Sequence, residues 1–259
     1  MWDDSDSPDV KCFEQLPDDT YEAIGTEASA IRKIIRQQKN LPINFSSSST
    51  RHMFNYDTRS MIIKLVSGPH QIASRSLLCE VRDVLHDMGL HRSINLLGST
   101  RIRGVSSSKE ADESWAPIQS IPGRNKKWPT VVVEVGVSES YRKLKADADW
   151  WLTNSTGGVK LVIIVSINRE TPDIKFETVL LDTVASSLRR QRPRYVPTIR
   201  QSIITSRRDA QISTRPAVAL TIKFEELFCR QPVPPEHNIE LLPAQLEAIS
   251  SAVWGEQCL

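Results

Sequence analysis

The most apolar stretch of the chain is residues 130–137, where five of the eight positions are valine. A run so rich in β-branched residues, without alternation of apolar and polar positions, predicts a central strand that is buried on both faces. Side chains alternate between the two faces of a strand, so Glu134 shares its face with Val132 and Gly136. A carboxylate in the middle of such a strand must be paired, hydrogen-bonded or bound to a metal, since a bare buried charge is costly. Glu134 is therefore the first candidate for a functional residue.

Two amphipathic helices are predicted on either side of this run in the sequence. Apolar residues recur at helical spacing over residues 72–90, and Gly89 is typical of a helix C-terminus. Ser138 or Ser140 is expected to cap a second helix, whose apolar stripe includes Trp151. The valine strand thus lies between two helices along the chain.

Four more strands complete the predicted core. Residues 93–105 predict one strand with a bulge at Gly98, and residues 109–115 predict a short, charged strand. Residues 159–167 predict another buried strand, with residues 175–181 pairing to it as an edge hairpin. The order is helix, strand, strand, strand, helix, strand, which indicates an α/β fold with a mixed central sheet flanked by helices.

The length of 259 residues suits one decorated domain. We expect an acidic, partly disordered extension over residues 1–60, with one helix over 20–40 that is followed by a serine-rich linker. Residues 61–259 are expected to form the domain itself, with its core at 72–181 and C-terminal additions at 182–259. The additions include a strand over 217–224, a short helix over 224–228 and a closing helix over 246–254.

Charge is unevenly distributed along the chain. Residues 1–30 hold nine acids and one lysine, which gives them a net charge of −8. Because the whole chain has a net charge of +2, the remaining residues carry a net charge of +10. An acidic segment beside a basic body is common where the body meets nucleic acid, and a solvated tail is the alternative.

The basic charge is densest over residues 188–208, which contain arginines and no acid and are expected to form a loop or irregular hairpin because of Pro193 and Pro197. Arginine suits phosphate contacts, and Tyr195 could stack on a base. A solvated basic loop or a nuclear-import signal is the alternative. The predicted nucleic-acid contacts are Arg189, Arg190, Arg192, Arg194, Arg207 and Arg208.

Several classes of protein are not indicated by the sequence. The four cysteines are scattered without CxxC spacing, which favours reduced thiols over a zinc site or a disulfide framework. The five histidines show no ligand spacing, and no glycine-rich phosphate loop or GxSxG turn occurs. No apolar run is long enough for a membrane span, and the N-terminus lacks signal-peptide features. We expect an intracellular protein, cytoplasmic or nuclear, without a membrane partner.

The order of elements, with Asp112 on the middle strand and Glu134 on the next, resembles the core of the PD-(D/E)XK nuclease superfamily, the restriction-endonuclease-like fold. The resemblance covers residues 72–181, about two-fifths of the chain. Where the family has an acid, any residue and a lysine, this chain has Glu134, Val135 and Gly136. The resemblance implies a nuclease that uses Mg²⁺ or Mn²⁺ to hydrolyse phosphodiester bonds of DNA or RNA.

The resemblance also assigns roles to the acidic residues. Asp112 and Glu134 would supply the hard oxygen ligands that Mg²⁺ prefers, and the metal would activate a water. The family often has a further acid on its first helix, for which Glu80 is the candidate metal ligand. The alternatives are a turn or edge-strand acid for Asp112, a structural carboxylate paired with an arginine or lysine for Glu134, and a solvated flank for Glu80.

The lysine that the family uses to orient water is replaced by Gly136. Some members of the superfamily place this lysine on the following helix instead, which makes Lys143 and Lys145 the candidates, with Lys145 preferred. The alternative is that both are surface lysines in i,i+4 pairs with Asp147 and Asp149. The sequence therefore predicts a metal-dependent nuclease, or alternatively a degenerate module of the same fold that binds nucleic acid or a partner protein.

Overall fold

A computed structural model describes residues 10–11, 20–24, 50–137, 141–184, 194–209 and 211–259. The strands within them are β1 (Val10–Lys11), β2 (Thr20–Ile24), β3 (Thr50–Asn55), β4 (Ser60–Leu65), β5 (Ile94–Leu96), β6 (Arg101–Arg103), β7 (Ser107–Glu110), β8 (Glu113–Pro117), β9 (Val131–Val137), β10 (Leu161–Ile167), β11 (Asp173–Val184), β12 (Arg194–Arg208), β13 (Gln211–Arg215), β14 (Leu220–Ile222) and β15 (Ile239–Leu241). The helices are α1 (Gly68–Asp87), α2 (Tyr141–Asn154), α3 (Phe224–Phe228) and α4 (Pro243–Gln257).

The chain divides into two compact units. The first unit comprises Met1–Ser67 together with Arg101–Glu110, and the second comprises Gly68–Thr100 together with Ala111–Leu259. The predicted boundary at residue 60 coincides with the start of β4, inside the first unit.

The first unit contains a six-stranded sheet in the order β1-β2-β4-β3-β7-β6. The helix predicted from residue 20 is wrong at its start, because Thr20–Ile24 is a strand that pairs with β4; the rest of that helix lies outside the described residues. The hairpin of β6 and β7 joins this sheet through β3, where Glu110 accepts hydrogen bonds from the backbone of His52 and from Arg101. Propensity alone did not identify β2, because pairing partners decide strand formation.

The second unit is a mixed α/β structure with a seven-stranded sheet in the order β13-β12-β11-β10-β9-β8-β5. Only β9 and β10 run parallel among its described pairs, and α2 makes the crossover that parallel neighbours require. The mixed α/β class predicted from the sequence is therefore confirmed.

The valine strand is the centre of this sheet, since every residue of β9 is buried. Its four odd-numbered valines pack with apolar residues of α1 and α4 in one core. The opposite face carries Glu134 and is covered by α2, where Trp151 meets the Glu134 side chain. The predicted helix over 72–90 is confirmed as α1, and Gly89 follows its end with a φ of 73° and an N–H bonded to His86.

Three strand predictions are wrong in detail. Residues 93–105 and 109–115 were each expected to form one strand, but each forms two, and in both cases the two strands belong to different sheets. Gly98 makes a turn with a φ of 53° rather than a bulge. The predicted edge hairpin at 175–181 is an interior strand, because β12 pairs with the far side of β11.

The basic stretch also differs from its prediction. Residues 194–208 of this stretch form the long strand β12 rather than a loop, and Pro197 is accommodated in its pairing with Leu181. None of the described helices is long and apolar enough to cross a membrane.

Candidate functional site

Glu134 is fully buried in the middle of β9, with a relative exposure of 1%. Its Oε1 accepts a hydrogen bond of 2.5 Å from Nε1 of Trp151 on α2. A charged carboxylate is stabilised in a low dielectric by such a charge-assisted bond. The unusual glutamate of the valine strand therefore has a specific protein donor, the indole N–H of Trp151.

Asp112 lies between β7 and β8 in the chain, directly before the strand that pairs with β9. Its backbone N–H donates to the Val133 carbonyl at 3.3 Å, and its Oδ2 accepts from the Val135 N–H at 2.7 Å. Both contacts are to the residues that flank Glu134. The structure therefore brings Asp112 to the cross-strand neighbour position of Glu134, although Asp112 precedes the middle strand rather than lying within it.

His70 is a third buried polar residue at this place, and the sequence interpretation missed it. Its Nε2 lies 3.0 Å from Oδ2 of Asp112, and both side chains are almost fully buried. His70 is in the first turn of α1, at helical spacing from the buried Ala73 and Leu77. A histidine in the apolar stripe of a predicted helix was the signal that could have found it.

The two carboxylates are held by different helices. His70 of α1 contacts Asp112, whereas Trp151 of α2 contacts Glu134. Helices α1 and α2 pack on opposite faces of the sheet. The acids are therefore neighbours along the backbone of the strand pair, and each is oriented by a separate helix layer.

The two candidate lysines on α2 have different surroundings. Lys143 Nζ lies 2.8 Å from Oδ2 of Asp147, so its expected i,i+4 pair forms, and Asp147 is buried. Lys145 is exposed, with Nζ 4.9 Å from the centre of the Tyr141 ring. Burial raises the pKa of Asp149, and the charge of Lys145 opposes that rise. Lys143 is thus the more enclosed of the two.

Glu80 lies elsewhere on α1. Its Oε2 accepts a hydrogen bond of 2.8 Å from Gln245 of α4. Ten residues separate Glu80 from His70, which corresponds to about 15 Å along a helix. The structure therefore does not bring Glu80 to the Asp112 carboxylate, and its role as a metal ligand has no geometric support.

A second buried acid, Glu177 on β11, lies on the same sheet face as Glu134, two strands away. Both residues pair with Ile164 of β10, one on each side. Glu177 Oε1 accepts hydrogen bonds of 3.0 Å from Tyr141 and from Ser202, and Lys175 lies 3.3 Å from it. Burial first, and then the bond to Glu177, raise the pKa of the Tyr141 phenol. The alternation of Lys175 and Glu177 between apolar residues was a signal for this shared face.

The predicted nucleic-acid arginines fall into three groups. Arg189, Arg190 and Arg192 lie outside the described residues, and Arg194 begins β12. Arg207 lies over the Trp254 ring at 5.3 Å. Arg208 makes two bonds to Asp173, of 2.8 and 2.9 Å.

The carboxylate oxygens of Asp112 and Glu134 are hard donors of the type that Mg²⁺ prefers. Mg²⁺ is usually held by one or two carboxylates with the remaining positions taken by water and substrate oxygens. Within the described residues no group of three or more His, Cys, Asp or Glu side chains is arranged to hold a metal.

Comparisons with known proteins give one structural similarity of note. No family model and no curated protein sequence matches the chain. The crystal structure of a candidate nuclease belonging to DUF820 from Anabaena variabilis is similar, with 13% identity and a TM-score of 0.42. The match covers 80% of this chain and 94% of the other. At this level the similarity does not assign the chain to a family.

Proposed function

We propose that the chain is a metal-dependent nuclease of restriction-endonuclease-like type, with Asp112 and Glu134 as the ligands of Mg²⁺ or Mn²⁺. The observation that carries the proposal is the position of Asp112, whose N–H and carboxylate bond to the two residues flanking Glu134. The resemblance implies an acid on each of two neighbouring strands, followed by a helix and a parallel strand; here Asp112 directly precedes β8 and Glu134 lies on β9.

The chain's own residues orient the two carboxylates. The Val135 N–H and His70 fix one oxygen of Asp112, and the Trp151 N–H fixes one oxygen of Glu134. Such fixed ligands reduce the reorganisation that metal binding requires. A bound divalent ion would supply an activated water and offset the negative charge that builds on the phosphate.

A cation beside this centre is expected to stabilise the developing charge. Because Gly136 has no side chain, Lys143 or Lys145 of α2 is proposed for this role. Lys143 is more enclosed but is bound to Asp147, whereas Lys145 is exposed and lies over the Tyr141 ring.

Nucleic acid is the proposed partner, with phosphate contacts from Arg194 at the start of β12 and from Arg189, Arg190 and Arg192, which precede it in the sequence. Arg207 and Arg208 at its other end are proposed more weakly, because Arg207 already stacks on Trp254 and Arg208 is paired with Asp173. Charge reversal at the first group should lower affinity and flatten its salt dependence, since each lost phosphate contact removes released counterions.

A binding module without catalysis is the second candidate. The buried bond between Glu134 and Trp151, together with the glycine at position 136, favours it. Such a module would keep the fold and bind nucleic acid or a partner protein with an affinity that does not depend on metal.

The deciding experiment is a cleavage assay on labelled single- and double-stranded DNA and RNA with Mg²⁺ and with Mn²⁺. We expect cleavage by the full chain and its loss in Asp112→Asn and Glu134→Gln. Glu177→Gln, at the matched buried position two strands away, should still cut. Absence of cleavage under every condition would favour the binding module, and cleavage that persists in Glu134→Gln would contradict the assignment of the centre.

A further inference from the structure

The sheet face that carries Glu134 continues beyond the part that α2 covers. Residues paired on neighbouring strands place their side chains on the same face, so the register defines rows across the sheet. One row contains Gly136, Ser166, Lys175, Ile204 and Arg215, from β9 to β13. The next row contains Glu134, Ile164, Glu177 and Ser202. Both rows lead from the proposed centre to the outer strands.

The outer part of this face is exposed and carries large side chains. Ile204 is 42% exposed, Ile199 is 40% exposed and Tyr195 is 62% exposed. Ile199 pairs with Val179 and Tyr195 with Thr183, which continues the face along β12. We call Tyr195, Ile199, Ile204, Lys175 and Arg215 the outer strip. An aromatic and two aliphatic side chains exposed on one sheet face form a platform for flat apolar groups.

The outer strip also carries positive charge. Lys175 and Arg215 lie on either side of Ile204 in one row, about 10 Å apart at the usual strand spacing. The ammonium group of Lys175 lies 3.5 Å above the Tyr141 ring, where Lys145 approaches to 4.9 Å.

The acids near the strip pair with part of this charge. Glu177 lies 3.3 Å from the ammonium group of Lys175, and Asp173 is paired with Arg208. Asp149 lies close to Lys145 on α2. The exposed cation Arg215 makes the outer part of the strip complementary to an anionic polymer.

We propose that the outer strip binds single-stranded nucleic acid and leads it toward Glu134. Unpaired bases stack on exposed aromatic and aliphatic side chains, and the phosphates follow the cations beside them. A duplex keeps its bases stacked inside and would not use Tyr195 or Ile204 in this way. The proposal rests on the proposed nuclease function, to which it adds the form of the substrate.

The geometry of the row connects the strip to the centre. Lys175 is two strands from Gly136 and Arg215 is four strands away, about 10 and 19 Å at the usual strand spacing. The side chain between Gly136 and Lys175 in this row is the small Ser166. A strand of nucleic acid bound across β13, β12 and β11 thus runs in line with the proposed metal ligands.

Binding is best measured in the full chain with Glu134→Gln, by fluorescence anisotropy of labelled single-stranded and duplex oligonucleotides. Tyr195→Ala should weaken single-strand binding about tenfold, while Tyr195→Phe retains it, because stacking requires the ring and not the hydroxyl. Arg215→Ala should lower the slope of log K against log salt by about 0.7, the value for one phosphate contact on a single strand. Matched controls are Lys160→Ala, an exposed cation before β10, and Ile118→Ala, an exposed apolar residue after β8.

The same variants in the otherwise native chain separate this proposal from the nuclease proposal. Selective loss of single-strand binding in the strip variants supports the strip, even when no condition gives cleavage, and in that case the nuclease function alone fails. Cleavage and single-strand binding that are unchanged in Tyr195→Ala and Arg215→Ala overturn the strip and leave the nuclease function intact. Preference for duplex, or no binding of any oligonucleotide, also overturns the strip.

Discussion

At the scale of single residues, the polar side chains buried around β9 hold one another in place. Glu134 is bonded to Trp151, and Asp112 to the Val135 N–H. A buried carboxylate that loses its donor keeps its desolvation cost, so these bonds are worth more than exposed ones.

Replacing Trp151 with phenylalanine removes the donor to Glu134 but keeps an aromatic ring. We expect Trp151→Phe to lower the free energy of unfolding by about 1–3 kcal/mol more than a matched change, because a buried carboxylate is left without its bond. Trp115→Phe is the control, since Trp115 is equally buried and its Nε1 has no partner among the described residues. Equal losses in urea denaturation of the two variants would show that the Glu134 bond contributes nothing.

The two lysines of α2 are separable by kinetics. If Lys143 or Lys145 stabilises the transition state, its change to alanine should lower kcat about 100-fold or more while substrate binding is largely kept. Lys160→Ala, outside the centre, is the control and should keep the native kcat. If both single variants cut with the native kcat, the helix lysines have no part in the proposed mechanism.

At the scale of elements, the sequence predicted best where burial and periodicity coincide. The valine strand, α1 and α4 were found because each carries one uninterrupted pattern. The segments 93–105 and 109–115 were each predicted as one strand, but each contributes a strand to two different sheets. Local propensity does not reveal where the chain leaves one sheet and enters another. The interior position of β11 depends on its pairing with β12, and Pro193 and Pro197 favoured a loop in that part of the sequence.

The candidate site was predictable to a similar extent. Asp112 and Glu134 followed from pattern and resemblance, and the structure makes them neighbours. His70 and Glu177 were missed because their places depend on tertiary structure. His70 reaches the site by packing of α1 against Asp112, and Glu177 by the register of β11 with β10. Sequence spacing does not contain that information when partners are 36 or more residues apart, as for Tyr141 and Glu177.

The hairpin of β6 and β7 in the first unit provides a pH prediction. Burial raises the pKa of Glu110, but the bonds and charges of His52 and Arg101 outweigh it, so the pKa is lowered below 4.5 overall. A carboxyl group whose pKa is lower in the folded than in the unfolded state stabilises the fold at pH values above the unfolded-state pKa. That stabilisation is lost as the pH falls through the folded-state pKa. As the pH is lowered, the midpoint of unfolding should therefore fall less steeply in Glu110→Gln than in the native chain. Glu170→Gln, at an exposed acid, should follow the native curve, and an unchanged slope in Glu110→Gln would contradict this account.

At the scale of the whole molecule, the second unit combines a buried pair of acids with an exposed basic strip on one mixed sheet. The acids lie at β8 and β9, while the strip extends over β11, β12 and β13. A centre for hydrolysis and a surface for a polymer substrate are the two parts that a nuclease requires. At the centre of this arrangement, Asp112 and Glu134 are proposed to bind one divalent cation.

The most direct test is a titration of the full chain with Mn²⁺, followed by electron paramagnetic resonance of the free ion. We predict one Mn²⁺ bound by the native chain and affinity lowered about tenfold or more in Asp112→Asn and in Glu134→Gln, because each removes a charged ligand. Glu177→Gln should bind as the native chain does, and thermal unfolding of each variant should confirm that it is folded. Mn²⁺ binding that is equal in the native chain, Asp112→Asn and Glu134→Gln, or that is lost only in Glu177→Gln, would contradict the account.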